Sequence, residues 1–164
     1  MGGETGKNRQ DQLTGSRLLA VEKAIIRNFQ EQDIPEILEI QRKITHREIA
    51  RHEYGAFEEQ LHQPDRVGYG AIVDGKVAGF IVGEAKTGDF GLERSLWVVN
   101  FGVNPKYMGE GIGQSLAERL FDHCLTHEIH KVYSVVSWDA VDLLSFFKAL
   151  GFDRSNLINL EKEL

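Results

Sequence analysis

The segment Val103-Asn104-Pro105-Lys106-Tyr107-Met108-Gly109-Glu110-Gly111-Ile112-Gly113-Gln114-Ser115-Leu116 runs from the end of a strand into the start of a helix. Upstream, Leu96–Val103 reads as the strand. Downstream, Ile112, Leu116, Leu120 and Cys124 repeat every fourth position, the stripe of an amphipathic helix. Glycines between the two let the backbone approach a ligand closely and adopt conformations closed to other residues. The first N–H groups of the helix have no intrahelical acceptor, and with the helix dipole they favour an anion, phosphate above all. A nucleotide loop of the Walker type would end in Gly-Lys-Ser/Thr, whereas Gly113 is followed by Gln114-Ser115. A dinucleotide fingerprint would place Gly-x-Gly-x-x-Gly directly after the strand. Here the pattern is Gly-x-Gly-x-Gly, and Asn104–Met108 intervene, although Asp139 lies at a suitable distance for a ribose.

Outward from this segment the chain alternates between the two periodicities. Tyr69–Val73 and Lys76–Ala85 flank Asp74-Gly75 as a hairpin, and the loop Lys86–Arg94 leads on to the strand. Ala24–Arg27 is an earlier strand. A helix follows it, with Asp33 as N-cap, Glu36 three residues on in a capping-box arrangement, and Pro35 in the first turn. Its apolar stripe is Ile34, Ile37, Leu38 and Ile44, with Ile40 beside it. Residues 45–63 are helical in propensity but crowded with polar groups. Beyond the glycine segment, Lys131–Ser137 reads as a strand. The last helix has Asp139 as N-cap, a Trp138–Leu143 staple and Gly151 as its stop. Asn156–Leu160 reads as a closing strand. The order β-α-α-β-β-β-α-β-α-β predicts an α/β (α+β mixed) fold, a mixed sheet with helices on both faces. Residues 1–22, polar and Gly-rich, read as a tail, and 23–164 as one domain.

Composition narrows the functions. A chain of 164 residues, 41% of them hydrophobic, is long enough for one domain with a real core. Its net charge of −6 repels nucleic-acid backbones and favours a cationic substrate such as a protonated amine. No apolar run approaches the roughly 20 residues of a membrane helix. The N-terminus has no apolar core of a secretory signal, and Gly6 stands where a myristoylation motif wants Ser or Thr. Cys124 is the only cysteine, which excludes an intramolecular disulfide and suits a reducing, cytoplasmic setting. It repeats with the apolar stripe, so it reads as core. His46 and His52 lack the spacing of a helical metal site, and no metal is expected.

The glycine segment resembles motif A of the GNAT superfamily of N-acetyltransferases, Gln/Arg-x-x-Gly-x-Gly/Ala after Val-x-Pro. Val103-Asn104-Pro105 matches the strand exit and Gly111-Ile112-Gly113 the glycine end. The last helix resembles motif B, closing on Gly151-Phe152, and the resemblance spans about residues 23–164. It implies a GNAT-like central sheet, splayed after the fourth strand, with acetyl-CoA as co-substrate and an amine as acceptor. By resemblance the pantetheine arm lies along the main chain of Phe101, Gly102 and Val103. The pyrophosphate rests on the N–H groups of Met108, Gly109, Glu110, Gly111, Ile112, Gly113 and Gln114. Asp139 and Phe147 stand at motif B positions that face the coenzyme. The His46–Glu58 segment falls where the family builds its acceptor pocket. A homodimer is compatible with the family but not required by the sequence.

Several positions depart from the family. Met108 replaces Gln or Arg, Glu110 puts a carboxylate in an anion loop, and Lys106 offsets it in part. Phe147 replaces the motif B Tyr that protonates the leaving thiolate, and Asp139 replaces Asn. Ser134 stands where a related subgroup has Glu on the preceding strand. Substitutes for the missing acid or base are Tyr133, Ser134, Ser137, Ser145, Glu84 or water, each with a purely structural hydrogen bond as its alternative. The activity expected is direct acetyl transfer to a small amine, a protein N-terminus or a lysine. The alternative is a non-catalytic acyl-CoA-binding module.

Overall fold

The computed structural model describes residues 22–88 and 91–164. The tail expected at 1–22 lies outside the described residues except for its last position. Two compact units divide the chain, one ending at Ser134 and the other running Val135–Leu164.

In the first unit, strands β1 (Ile25–Asn28), β2 (Arg66–Val73), β3 (Lys76–Lys86), β4 (Ser95–Val103) and β5 (Val132–Ser134) form one sheet in sequence order. The first four are antiparallel and β5 is parallel to β4. Helices α1 (Ile34–Thr45) and α2 (Arg51–Leu61) connect β1 to β2. Helix α3 (Ile112–Thr126) makes the crossover that a parallel pair needs. The β2–β3 hairpin turns on Asp74 (φ 49°) and Gly75 (φ 76°), the two positive angles of a type I′ turn.

Side chains alternate across β3, and each face takes a helix. Phe80 and Val82 pack with Ile34, Ile37, Leu38 and Ile40 of α1 and Phe57 of α2. On the opposite face, Gly79 leaves room for α3. A Cβ there would lie 3.1 Å from Ile112 Cγ2 and 3.2 Å from Leu116 Cδ1. Ile112, Leu116, Leu120 and Cys124 are all buried, as their four-residue repeat predicts.

Local corrections concern caps and ends. Asp33 does not cap α1 with its side chain. A 3₁₀ turn, Glu31–Asp33, precedes the helix. The Asp33 carboxylate accepts from the Gln30 N–H at 2.7 Å and from the Arg27 guanidinium at 2.6 and 3.0 Å. Burial pushes the Asp33 pKa up, but these hydrogen bonds outweigh it and hold the carboxyl below its ordinary value. Glu36 accepts the Val77 N–H at 2.6 Å and so ties α1 to the hairpin rather than closing a capping box. His46, at φ 53°, ends α1 in the left-handed region, and the chain is non-helical until Arg51. The strand expected at Lys131–Ser137 shortens to Val132–Ser134.

In the second unit, α4 (Val141–Ala149) begins after Ala140, one residue later than expected. Asp139 instead takes the Ser137 hydroxyl on its carboxylate, and its carbonyl accepts the Val141 N–H at 2.9 Å. Trp138 is 82% exposed, so no staple with Leu143 forms. The C-terminus behaves as expected. Gly151 sits at φ 89°, its N–H donates to Lys148 C=O, and the Phe152 N–H donates to Phe147 C=O, both at 3.0 Å. The Phe147 and Phe152 rings meet at 4.9 Å, the apolar contact of a Schellman motif. No strand forms at Asn156–Leu160, where Ile158 and Leu160 are exposed. A strand without a ladder partner leaves its backbone groups to water and gains nothing over coil.

Candidate functional site

The β4 strand carries a defect at its middle. Opposite β3, Asn100 pairs with Val82 and Val98 with Gly83, so Val99 is an extra residue, a β-bulge. The parallel ladder to β5 stops at the same place, its last pair being Val98 and Ser134. Bulges bend a strand and interrupt pairing, so the two events belong together. Phe101, Gly102 and Val103 therefore lie beyond the last β5 partner, as the expected splay requires. A strand that continues past its last ladder partner is the kind of edge an extended ligand can join as an added strand.

The open edge leads into the glycine turn. Asn104 anchors the exit: its N–H donates to Ala78 C=O at 2.8 Å, and its side chain accepts the Lys106 N–H at 3.2 Å. Pro105–Tyr107 then form a 3₁₀ turn. Gly109 (φ 77°) and Gly111 (φ 80°) hold left-handed angles that strain any other residue, and Gly111 is the N-cap of α3. The first capping bond is Ser115 N–H to Gly111 C=O at 3.0 Å, which leaves Ile112, Gly113 and Gln114 as the first-turn donors without a helical acceptor. Two of the seven expected donors are engaged within the turn. Met108 N–H faces Pro105 C=O at 3.4 Å and Glu110 N–H faces Tyr107 C=O at 3.3 Å, both long contacts. Lys106 Nζ lies 5.1 Å from the Tyr107 ring centre, Met108 is exposed, and the Gln114 amide donates to Glu118. Backbone, not side chains, is what the turn presents.

Register sorts the suspected proton-transfer residues. Arg66 is opposite Glu84, Glu84 opposite Trp97, and Trp97 opposite Tyr133. Opposed residues share a face, so these four form one row across β2–β5. Glu84 is two residues from Val82, which places the row on the α1 side of the sheet. Tyr133 stacks on Trp97 with ring centres 4.9 Å apart. Glu84 is bound by Arg66 at 2.7 Å and Lys86 at 3.4 Å, so its carboxylate is already engaged. Ser134 opposes Val98 and so faces the other way, separate from Tyr133 and Glu84. On the α1 side, Gly102 admits the helix closely: a Cβ there would lie 3.0 Å from Ile44 Cδ1 and 2.8 Å from Phe80 Cε1. The row and the bulge escaped sequence reasoning because both depend on cross-strand register. The sequence carries no local mark of either.

In the second unit, Phe147 is buried and packs edge-on to Phe146 at 5.4 Å and to Phe152 at 4.9 Å. Its ring is part of the helix closure. In the His46–Glu58 segment, Arg47 pairs with Glu53 at 2.7 Å, and Glu48 lies 3.9 Å from Arg42, ahead of α2 rather than within it. Burial pushes the Cys124 thiol pKa up, the opposite of nucleophile activation, in keeping with a core role. Among the described residues no group of three or more His, Cys, Asp or Glu is arranged to hold a metal, and no helix is long and apolar enough to cross a membrane.

Known proteins share this architecture. The aminoglycoside N-acetyltransferase AAC(6')-Iy, solved with the bisubstrate analogue CoA-S-monomethyl-acetylneamine, superposes with a TM-score of 0.74 at 14% identity, over 86% of this chain and 98% of that one. An aminoglycoside acetyltransferase from an uncultured soil metagenomic sample gives 0.74 at 13% identity, over 87% and 97%. The ribosomal-protein-alanine N-acetyltransferase of Brucella melitensis biovar Abortus 2308 gives 0.69 at 18%, over 86% and 99%. At these identities the likeness establishes the fold. No curated protein matches the sequence. The sequence pattern of the acetyltransferase (GNAT) family matches residues 34–152, most of the chain, with the strand exit, the glycine turn and α3 inside it. The chain belongs to the acetyltransferase (GNAT) family of enzymes.

Proposed function

We propose that the chain moves the acetyl group of acetyl-CoA directly to an amine: a small amine, a protein N-terminus or a lysine. The observation that carries this is the open edge of β4. It begins at the Val99 bulge and runs without interruption into the glycine turn at the head of α3. The pyrophosphate sits on the first-turn donors Ile112, Gly113 and Gln114, with Gly109 and Gly111 beside them. The pantetheine arm pairs along Phe101–Val103. From Val103 back to Val99 is about 13 Å at roughly 3.3 Å per residue, so an arm lying there brings its thioester to the bulge.

The amine, having lost its proton to water, attacks the thioester carbon. The carbonyl electron pair moves onto oxygen, the attacking nitrogen gives up a second proton to water, and the pair returns as the C–S bond breaks, leaving a neutral amide and a thiolate that takes a proton from water. Phe147 has no proton to give, and Glu84 is engaged with two cations. Water is the acid, and general-acid help worth about 10²–10⁴-fold is forgone. The enzyme is slow for its family on this account. The −6 charge and a reducing, cytoplasmic setting suit a protonated acceptor and a free thiol coenzyme. Thiol release from acetyl-CoA over a panel of amines, with coenzyme binding measured in parallel, tests the proposal. Release with at least one amine supports it. Binding without release from any would point to a coenzyme-binding module instead.

A further inference from the structure

Asn100 is the first paired residue of β4 beyond the bulge. It opposes Val82, and opposed residues share a face, so its carboxamide projects to the α1 side. The surroundings there are apolar: Val82 and Phe80 are buried in the α1 cluster, and Ile44 closes over Gly102, two residues along the strand. Asn100 is half-buried, and its side chain makes no hydrogen bond to another described residue, while that of Asn104, four residues on, does. Its amide is not among the buried polar atoms left without a hydrogen bond, so it stays accessible to a ligand, and Asn is poorly suited to a strand interior. A valine at this position would serve folding better.

We propose that Asn100 is a catalytic residue, donating its Nδ2–H to the thioester carbonyl oxygen of bound acetyl-CoA. This rests on the coenzyme reading above, in which the arm along Phe101–Val103 ends at the bulge. As the amine adds to the carbonyl carbon, the electron pair that moves to oxygen makes the bond to Asn100 stronger in the transition state than in the ground state. That difference is what accelerates the step. When the C–S bond breaks, the pair returns, and Asn100 keeps its own protons throughout. A side-chain donor at this place stabilises the oxyanion without serving as the missing acid.

The carbonyl carbon of [1-¹³C]acetyl-CoA reports such a bond by NMR with no acceptor present. Bound to the native protein, its signal should move downfield from the free coenzyme. Asn100→Ala and Asn100→Val should lose most of that displacement while binding the coenzyme as before. Acetyl transfer should slow on the order of a hundredfold, the loss typical of one oxyanion donor. Melting temperature should hold or rise, most for Asn100→Val, because β-branched residues suit the strand. Variants that keep both the displacement and the rate would overturn the inference and leave the coenzyme reading intact. So would a clear fall in melting temperature in both variants, which would make Asn100 structural. A native protein that does not bind acetyl-CoA would overturn the coenzyme reading itself, and the inference with it.

Discussion

At Gly111 the backbone stands at φ 80° immediately before the first turn of α3, where the anion is proposed to sit. A side chain there meets two obstacles. The left-handed angle costs a non-glycine residue about 1–2 kcal/mol, and the new Cβ stands in the phosphate's approach. Gly111→Val should therefore lower stability by about that amount in urea unfolding and abolish coenzyme binding. Phe147 makes the opposite kind of case. Its place in motif B suggests a residue facing the thioester, yet its ring is buried against Phe146 and Phe152 in the closure of α4. A hydroxyl added to this buried ring must force its way into close packing, so Phe147→Tyr should cost about 1–3 kcal/mol and bring no gain in transfer rate. A faster, equally stable variant would show that the ring edge reaches the leaving thiolate after all.

Helix α3 is the most legible element. Ile112, Leu116, Leu120 and Cys124 repeat with the helical period over a long run, and all four are buried. Truncating Leu116, which is fully buried over Gly79, should cost about 2–5 kcal/mol as Leu116→Ala, read by thermal or urea unfolding. Gly79→Ala should be costly from the other side. Its Cβ would lie 3.0–3.2 Å from the Gly102 carbonyl, Ile112 and Leu116, an overpacking worth about 1–3 kcal/mol. What the sequence concealed was pairing. The Val99 bulge and the row Arg66–Glu84–Trp97–Tyr133 follow from which residue lies opposite which, and strand sequences announce register only weakly. Caps failed for a similar reason. Asp33 and Glu36 have the right spacing for a capping box, but Arg27, six residues back on β1, and the Val77 N–H, 41 residues on, claim their carboxylates. Gly151, whose role depends only on its own backbone angle, was read correctly.

Across the whole molecule, acid should unfold this protein in two stages of the same sign. His123, at Tyr69 and stacked on His127, has a pKa below the ordinary 6.5: burial lowers it first, then His127, Arg119 and Arg94. The unfolded chain thus binds the proton more readily, so this contribution is complete above about pH 6.5 and is lost as pH falls below it. Asp33, Glu53 and Asp153 lie below their ordinary values, and Glu39, beside Arg42, falls to about 2. Their contribution is present above the ordinary carboxylate range and is lost as pH falls toward 2. Urea midpoints should decline first near pH 6 and again below pH 4, and His123→Gln should remove only the first decline. The acceptor amine leaves no comparable trace in the sequence, because an amine's pocket is built from side chains gathered by the fold rather than from one contiguous motif. The central claim is that the glycine turn and the open edge of β4 hold acetyl-CoA. Calorimetric titration of the native protein and Gly111→Val with acetyl-CoA, NAD and ATP tests it most directly. The account predicts that the native protein binds acetyl-CoA in clear preference to the other two, and that folded Gly111→Val does not bind it. Equal affinity for NAD, or a Gly111→Val variant that binds acetyl-CoA as the native protein does, would contradict it.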